Sequence, residues 1–188
     1  MTDSSDYTTG DYIIITAKAF LTFPETNFDP LELIDGKIVA LASPSTFHQR
    51  IVGALYVKIV NYINSNKGGC ILMLSPFDVV LDEYNVVVPD ISVICEKSKL
   101  DDKRCNGSPD WIIEVVSGNW RDDYIRKLNL YMECGVREYW IVDPQKQKTV
   151  VYYLGDRDNI INFYDFSQDI PVNIYYGKLS VNISGLLE

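Results

Sequence analysis

Two carboxylates interrupt stretches that otherwise read as protein core. In "PDWIIEVVSG" (109–118) Glu114 stands between Ile112-Ile113 and Val115-Val116, and in "VVVPDISVIC" (86–95) Asp90 breaks a similar run. An isolated buried charge costs many kcal/mol, so each acid must be paired, neutralised or bound to a metal. Side chains alternate faces along a strand. Asp110, Ile112, Glu114 and Val116 therefore share one side of theirs, and Val88, Asp90, Ser92 and Ile94 share one side of the neighbour. If the two strands pair, Asp90 and Glu114 converge. Glu32, between Leu31 and Leu33, offers a third acid. Three carboxylates in one crevice repel one another and hold raised pKa values unless a cation sits among them. Hard oxygen ligands of this kind suit Mg²⁺ or Mn²⁺, with waters completing the shell. No histidine or cysteine clusters with them, which argues against zinc.

Each acid also has a structural reading. Glu32 precedes a turn and fits a solvated place on an edge strand. Asp90 follows Pro89, and a Pro-Asp pair often bounds a strand, with the Asp side chain capping nearby amides. Glu114 fits a buried salt bridge. Its candidate partner is Lys127, which helical geometry places beside the arc Tyr124, Leu128 and Tyr131, toward the sheet and one turn after Asp123. Lys127 reads in three ways: an ion-pair partner, a lysine snorkelling to water, or a functional group that orients a water and offsets phosphate charge.

Several elements must position these residues. A mobile polar tail is expected over 1–12, then a short helix over "TAKAFLTF" (16–23). "LELIDGKIVALA" (31–42) predicts a hairpin turning at Asp35-Gly36. A long helix follows, with the stripe His48, Ile51, Val52, Leu55, Ile59, Tyr62 and Ile63, ended by Gly68-Gly69. "CILMLSPFDVVLD" (70–82), "VVVPDISVIC" and "WIIEVVS" (111–117) each read as one strand, the last two central. A second helix runs from Trp120 to Cys134, closed by Gly135. "REYWIVDP" (137–144) is a buried strand. "KTVVYYLG", "NFYDFS" and "VNIYYGKLSVNI" read as an antiparallel tail sheet. The expected fold class is α/β (α+β): one domain over 13–188, a mixed sheet with helices on both faces.

The 188 residues suffice for one proper core. Apolar content of 47% and charged content of 23% are ordinary for a globular protein. No apolar run reaches the roughly 20 residues of a membrane helix, and the acidic N-terminus does not read as a signal peptide, so a cytoplasmic protein is expected. The four scattered cysteines lack metal-ligand spacing and read as free thiols, with Cys105 the most exposed. A net charge of −9 disfavours non-specific coating of nucleic acid, yet leaves room for a local basic patch.

"LELIDGKIVALASPSTFHQRIV", "VVPDISVI", "PDWIIEVVS", "RDDYIRKLNLYMECGVREYWIVDP" and "TVVYYL" fall in an order and spacing that resembles the Uma-type putative restriction endonucleases, a family in the PD-(D/E)xK nuclease superfamily. The resemblance runs from about Thr16 onward. It implies a restriction-endonuclease-like mixed sheet flanked by helices, and a Mg²⁺- or Mn²⁺-dependent nuclease site hydrolysing phosphodiester bonds of DNA. By motif, Asp90 matches the metal-binding Asp, Glu114 the acid of the (D/E)xK element and Glu32 the upstream acid; the metal ligands would be Asp90, Glu114 and Glu32. The usual motif places lysine two residues after the acid, where this chain has Val116. The resemblance implies that Lys127, on the following helix, is the substitute, with Asp123 as a possible helper. His48 recurs in "SPSTFHQRI", and a packing role is expected for it. "SGNW" (117–120) departs from the family's Ser-Pro form.

The leading expectation is therefore a metal-dependent endonuclease acting through Asp90, Glu114 and Lys127. Lys97, Lys99, Lys103, Arg104, Arg121 and Arg126 would form its basic side. The competing one is a catalytically inactive binding or assembly module on the same fold. A homodimer is expected, and Tyr152, Tyr153, Tyr175 and Tyr176 are the candidate interface residues if the chain is such a module.

Overall fold

Proline divides two of the apolar runs that the sequence presents as single strands. In the computed structural model, residues 14–23, 31–117, 121–155 and 160–188 are described, with 121–124 as backbone only. The expected tail over 1–12, Trp120, and the side chains of Asp123 and Tyr124 lie outside them. The elements in order are α1 (Ala17–Phe20), β1 (Leu31–Ile34), β2 (Lys37–Ala40), α2 (Thr46–Ser65), β3 (Ile71–Leu74), β4 (Asp78–Asp82), β5 (Asn85–Val87), β6 (Ile91–Ile94), β7 (Arg104–Asn106), β8 (Trp111–Val115), α3 (Arg121–Glu133), β9 (Glu138–Asp143), β10 (Lys148–Tyr153), β11 (Ile160–Asp165), β12 (Ile170–Pro171), β13 (Ser180–Val181) and α4 (Ile183–Leu187).

Residues 70–82 were expected as one strand and form two, β3 and β4, parted at Ser75-Pro76. Residues 86–95 likewise split into β5 and β6 at Pro89-Asp90. Proline has no N–H for a ladder, so the chain leaves one sheet and enters another at these points. The two sheets have the orders β2-β1-β5-β4-β7 and β11-β10-β9-β8-β6-β3. Asp90 therefore sits at the crossing between sheets, outside any strand.

The larger sheet is mixed. β8 runs antiparallel to β6 and parallel to β9, and β10 and β11 add antiparallel strands. Alternation sorts β8 as expected. Trp111, Ile113 and Val115 pack with the stripe of α2, while Ile112 and Val116 pack with Leu130 and Tyr131 of α3 and with Ile34, Val79 and Val87 of the smaller sheet. Thus α2 covers one face, and α3 with the smaller sheet covers the other. The last segment departs from expectation. Residues 172–183 form a 3-10 turn and the strand β13, which pairs with β12 in a two-stranded ribbon and leads into α4; Tyr176 takes a left-handed φ of 55° where the ribbon turns.

The Asp35-Gly36 hairpin forms as its sequence dictates, with φ of 50° and 70° at the two turn residues. A Cβ at Gly36 would lie 2.5 Å from Ile14 Cγ2. The cysteine expectation is corrected. Cys70 and Cys95 flank β3 and β6 directly opposite one another and form a disulfide, and Cys105 is buried. Antiparallel pairing brings the two thiols together across 25 residues of sequence. Among the described residues, no helix is long and apolar enough to cross a membrane.

Candidate active site

Glu114 is the next-to-last residue of β8, and it lies on the α3 face because Ile112 and Val116 do. Two elements bring polar groups to it. β1 is an inner strand, between β2 and β5, so Glu32 is fully buried instead of solvated on an edge. One turn of α3 then delivers Lys127 and Tyr131, four residues apart and on one face. Lys127 Nζ lies 3.0 Å from Glu32 Oε1 and 3.1 Å from Glu114 Oε1. The Tyr131 hydroxyl donates to the same Glu114 oxygen at 3.0 Å. Val88 N–H donates to Glu32 Oε1 at 2.9 Å, which holds the acid in place.

Arg126 fixes how α3 meets the hairpin. Its Nε donates to Asp35 Oδ2 at 2.8 Å, and its Nη2 donates to the Ile34 carbonyl at 2.9 Å. The next residue along the helix is Lys127, so this clamp sets the depth at which the lysine enters the carboxylates. Arg126 is thus engaged within the fold, as is Lys99, which donates to the Ser108 carbonyl. Of the basic residues expected to face a nucleic acid, Lys97 and Lys103 are exposed, Arg104 is half-buried, and the Arg121 side chain lies outside the described residues.

Asp90 reaches the same region from the sheet crossing. Its Oδ2 accepts Val115 N–H at 2.8 Å, which ties it to the residue after Glu114. It also faces His48 Nε2 at 3.1 Å. A packing role was favoured for His48 over a place near the cleft; it is buried on the α2 stripe and also makes this polar contact, and its Nδ1 has no hydrogen-bond partner among the described residues. Burial pulls the imidazole pKa down, yet the hydrogen bond and charge of Asp90, with the charge of Glu114, outweigh it, and the net shift is upward. Sequence reasoning also took Tyr131 only for part of an apolar arc. Its spacing of four from Lys127 was the available signal.

The electrostatics follow from the count of charges. Burial raises the Glu114 pKa, Lys127 opposes that, and the charges of Asp90 and Glu32 raise it further, to about 7. The Tyr131 hydroxyl is held well above its ordinary range by burial and by the same carboxylates. One buried ammonium does not balance three acids. Among the described residues no three acidic, histidine or cysteine groups form a ready-made metal cage. However, Asp90 Oδ1 and Glu114 Oε2 make no hydrogen bond with the described residues, and Glu32 Oε2, though 3.0 Å from Lys127 Nζ, is buried without a hydrogen-bond partner among them. Two carboxylates with free oxygens and an excess of negative charge fit a divalent cation whose remaining shell is water or phosphate. A cavity of about 350 Å³ opens past the ends of β8 and β9, lined by Ser43, Ser45, Phe47, Val116, Ser117, Pro144 and Gln145; none of Glu32, Asp90, Glu114 and Lys127 lines it.

The fold has a solved counterpart in a protein from Anabaena variabilis ATCC 29413, titled a "putative nuclease belonging to DUF820". The two are 25% identical and superpose with a TM-score of 0.73 over 92% of this chain and 97% of that one. No curated protein matches the chain. The family described as Uma2, "Putative restriction endonuclease", matches residues 17–172, a span that holds every site residue named above. The chain belongs to that family.

Proposed function

We propose that this protein is a metal-dependent nuclease that hydrolyses phosphodiester bonds of DNA. The observation that carries the reading is the convergence of Glu32, Asp90 and Glu114 with Lys127, from four separate segments, at one end of β8. Asp90 and Glu114 would hold Mg²⁺ or Mn²⁺ through their unengaged oxygens, and Glu32 would act mainly through Lys127. When bound, the ion would polarise a phosphoryl oxygen and make a bound water more acidic. Lys127 offers its buried positive charge to the phosphate and to the attacking water. His48 and Val115 N–H fix the orientation of Asp90, and Tyr131 fixes that of Glu114. Water then attacks phosphorus, and the P–O bond to the leaving nucleotide breaks.

One observation favours an inactive binding module. The Lys127 ammonium already bridges Glu32 and Glu114, so part of the site is neutralised without any metal. Incubation of the purified protein with single- and double-stranded DNA, with Mg²⁺, Mn²⁺ or EDTA, separates the two. Metal-dependent cleavage lost in Asp90→Ala and Lys127→Met supports the nuclease. Intact DNA in every metal condition, or cleavage equal in the variants, would assign the fold to binding.

A further inference from the structure

The larger sheet ends on β11, and among the described residues no strand pairs with the outer edge of that strand. Phe166 N–H donates to the Gln147 carbonyl at 3.0 Å, toward β10. By alternation, the backbone groups of Tyr164, Asn162 and Ile160 also face β10, while those of Ile161, Phe163 and Asp165 face outward. Asp165 N–H is taken by Gln168 Oε1 at 2.7 Å. The outward groups of Ile161 and Phe163 have no strand beside them among the described residues. Their side chains are 51% and 70% exposed. On β10 they stand opposite Tyr152 and Val150, so they extend the α3-side apolar layer past the end of the sheet.

We infer that a second copy of this chain pairs β11 with β11 about a two-fold axis through Asn162, joining two six-stranded sheets into one. The register follows from the free groups. Ile161 then stands opposite Phe163 of the second copy as a hydrogen-bonded pair, and Phe163 opposite Ile161 of the second copy. All four outward N–H and C=O groups of each strand are satisfied. Apolar side chains meet across the seam on one face, and Ile160 meets Tyr164 of the second copy on the other. Moving the axis to Phe163 would need the Asp165 N–H that Gln168 holds, and would set its carboxylate against Ile161. A slip of one residue would oppose inward groups to outward ones.

Charge points to the same segment. Each chain carries a net −9, so broad face-to-face contact between copies is repulsive. Ile160–Tyr164 has no charged side chain, and Asp165, 3.2 Å from Lys148 Nζ, falls outside the paired stretch. The four tyrosines expected at an interface are not needed. Tyr152 stacks on Tyr139 and Tyr175 lies against Tyr62, both within the subunit.

Sedimentation velocity on the full chain, across a wide concentration range, tests the seam together with three variants. Phe163→Asp puts a charge at the seam. Ile161→Pro removes an outward donor without touching the β10 ladder. Asn162→Cys sets a thiol opposite its own copy, at a separation a disulfide can span. The expected result is a wild-type dimer, monomers for Phe163→Asp and Ile161→Pro with unchanged circular dichroism, and a covalent dimer on oxidation of Asn162→Cys that the wild type does not form. A wild-type monomer at every concentration would overturn the proposal. So would a dimer that survives Phe163→Asp and is not crosslinked through Asn162→Cys, since its interface would lie elsewhere.

Discussion

Lys127 Nζ lies 3.1 Å from Glu114 Oε1, both side chains more than nine-tenths buried, with the strand end and the helix start between them in sequence. The lysine thus stands on the helix that follows the acid, and α3 turns it back onto the strand. It also links Glu114 to Glu32, 95 residues from the lysine in sequence, through a second contact of 3.0 Å.

Removing that ammonium should leave two buried carboxylates facing each other. Lys127→Met is expected to lower stability by about 3–5 kcal/mol at neutral pH, the usual cost of breaking a buried ion pair. The loss should shrink in mild acid, where Glu114, its pKa raised to about 7, takes up a proton. Urea unfolding of wild type and variant at the two pH values checks this. An unchanged midpoint at neutral pH would mean that the pair contributes nothing.

Much of this was legible in the sequence. The hairpin turn at Asp35-Gly36, the stripe of α2 and the face of β8 that carries Glu114 all follow from local period and turn chemistry. The path between elements was less legible. Runs 70–82 and 86–95 have strand composition throughout, and only Pro76 and Pro89 mark where the chain changes sheet. His48 and Tyr131 read as packing residues because period gives the face of a helix but not the polar atom that a residue meets there. The Cys70–Cys95 pair depends on the register of β3 against β6, which no local pattern specifies.

That disulfide closes a loop of 25 residues. Cys95→Ser is expected to cost about 3 kcal/mol by chain entropy. Alkylation of the unfolded, unreduced protein followed by mass spectrometry should label Cys105 and Cys134 alone. Labelling at Cys70 or Cys95 would show that the pair is not formed under those conditions.

Glu138 gives a pH dependence away from the site. It is fully buried at the start of β9, where it accepts hydrogen bonds from Trp140 Nε1 at 2.8 Å and from Ile174 N–H at 2.8 Å. Burial raises its pKa above the ordinary 4.5, and those hydrogen bonds only partly offset the rise. The folded state therefore holds the proton more tightly than the unfolded state. Its contribution is fully present below pH 4.5 and is lost as pH climbs from there through the raised folded value. Wild type should lose stability relative to Glu138→Gln over that rise. Parallel pH curves for the two proteins would contradict the assignment.

The central claim is that Asp90 and Glu114 form a divalent-cation site. Calorimetric titration of Mn²⁺ into wild type and into Asp90→Ala tests it most directly, since it requires no knowledge of the substrate. Saturable binding by the wild type, weakened at least about tenfold (roughly 1.4 kcal/mol) in the variant, is expected. No binding by the wild type, or equal binding by both proteins, would contradict the claim and leave Lys127 as the cation that Glu32 and Glu114 hold, with His48 the partner of Asp90.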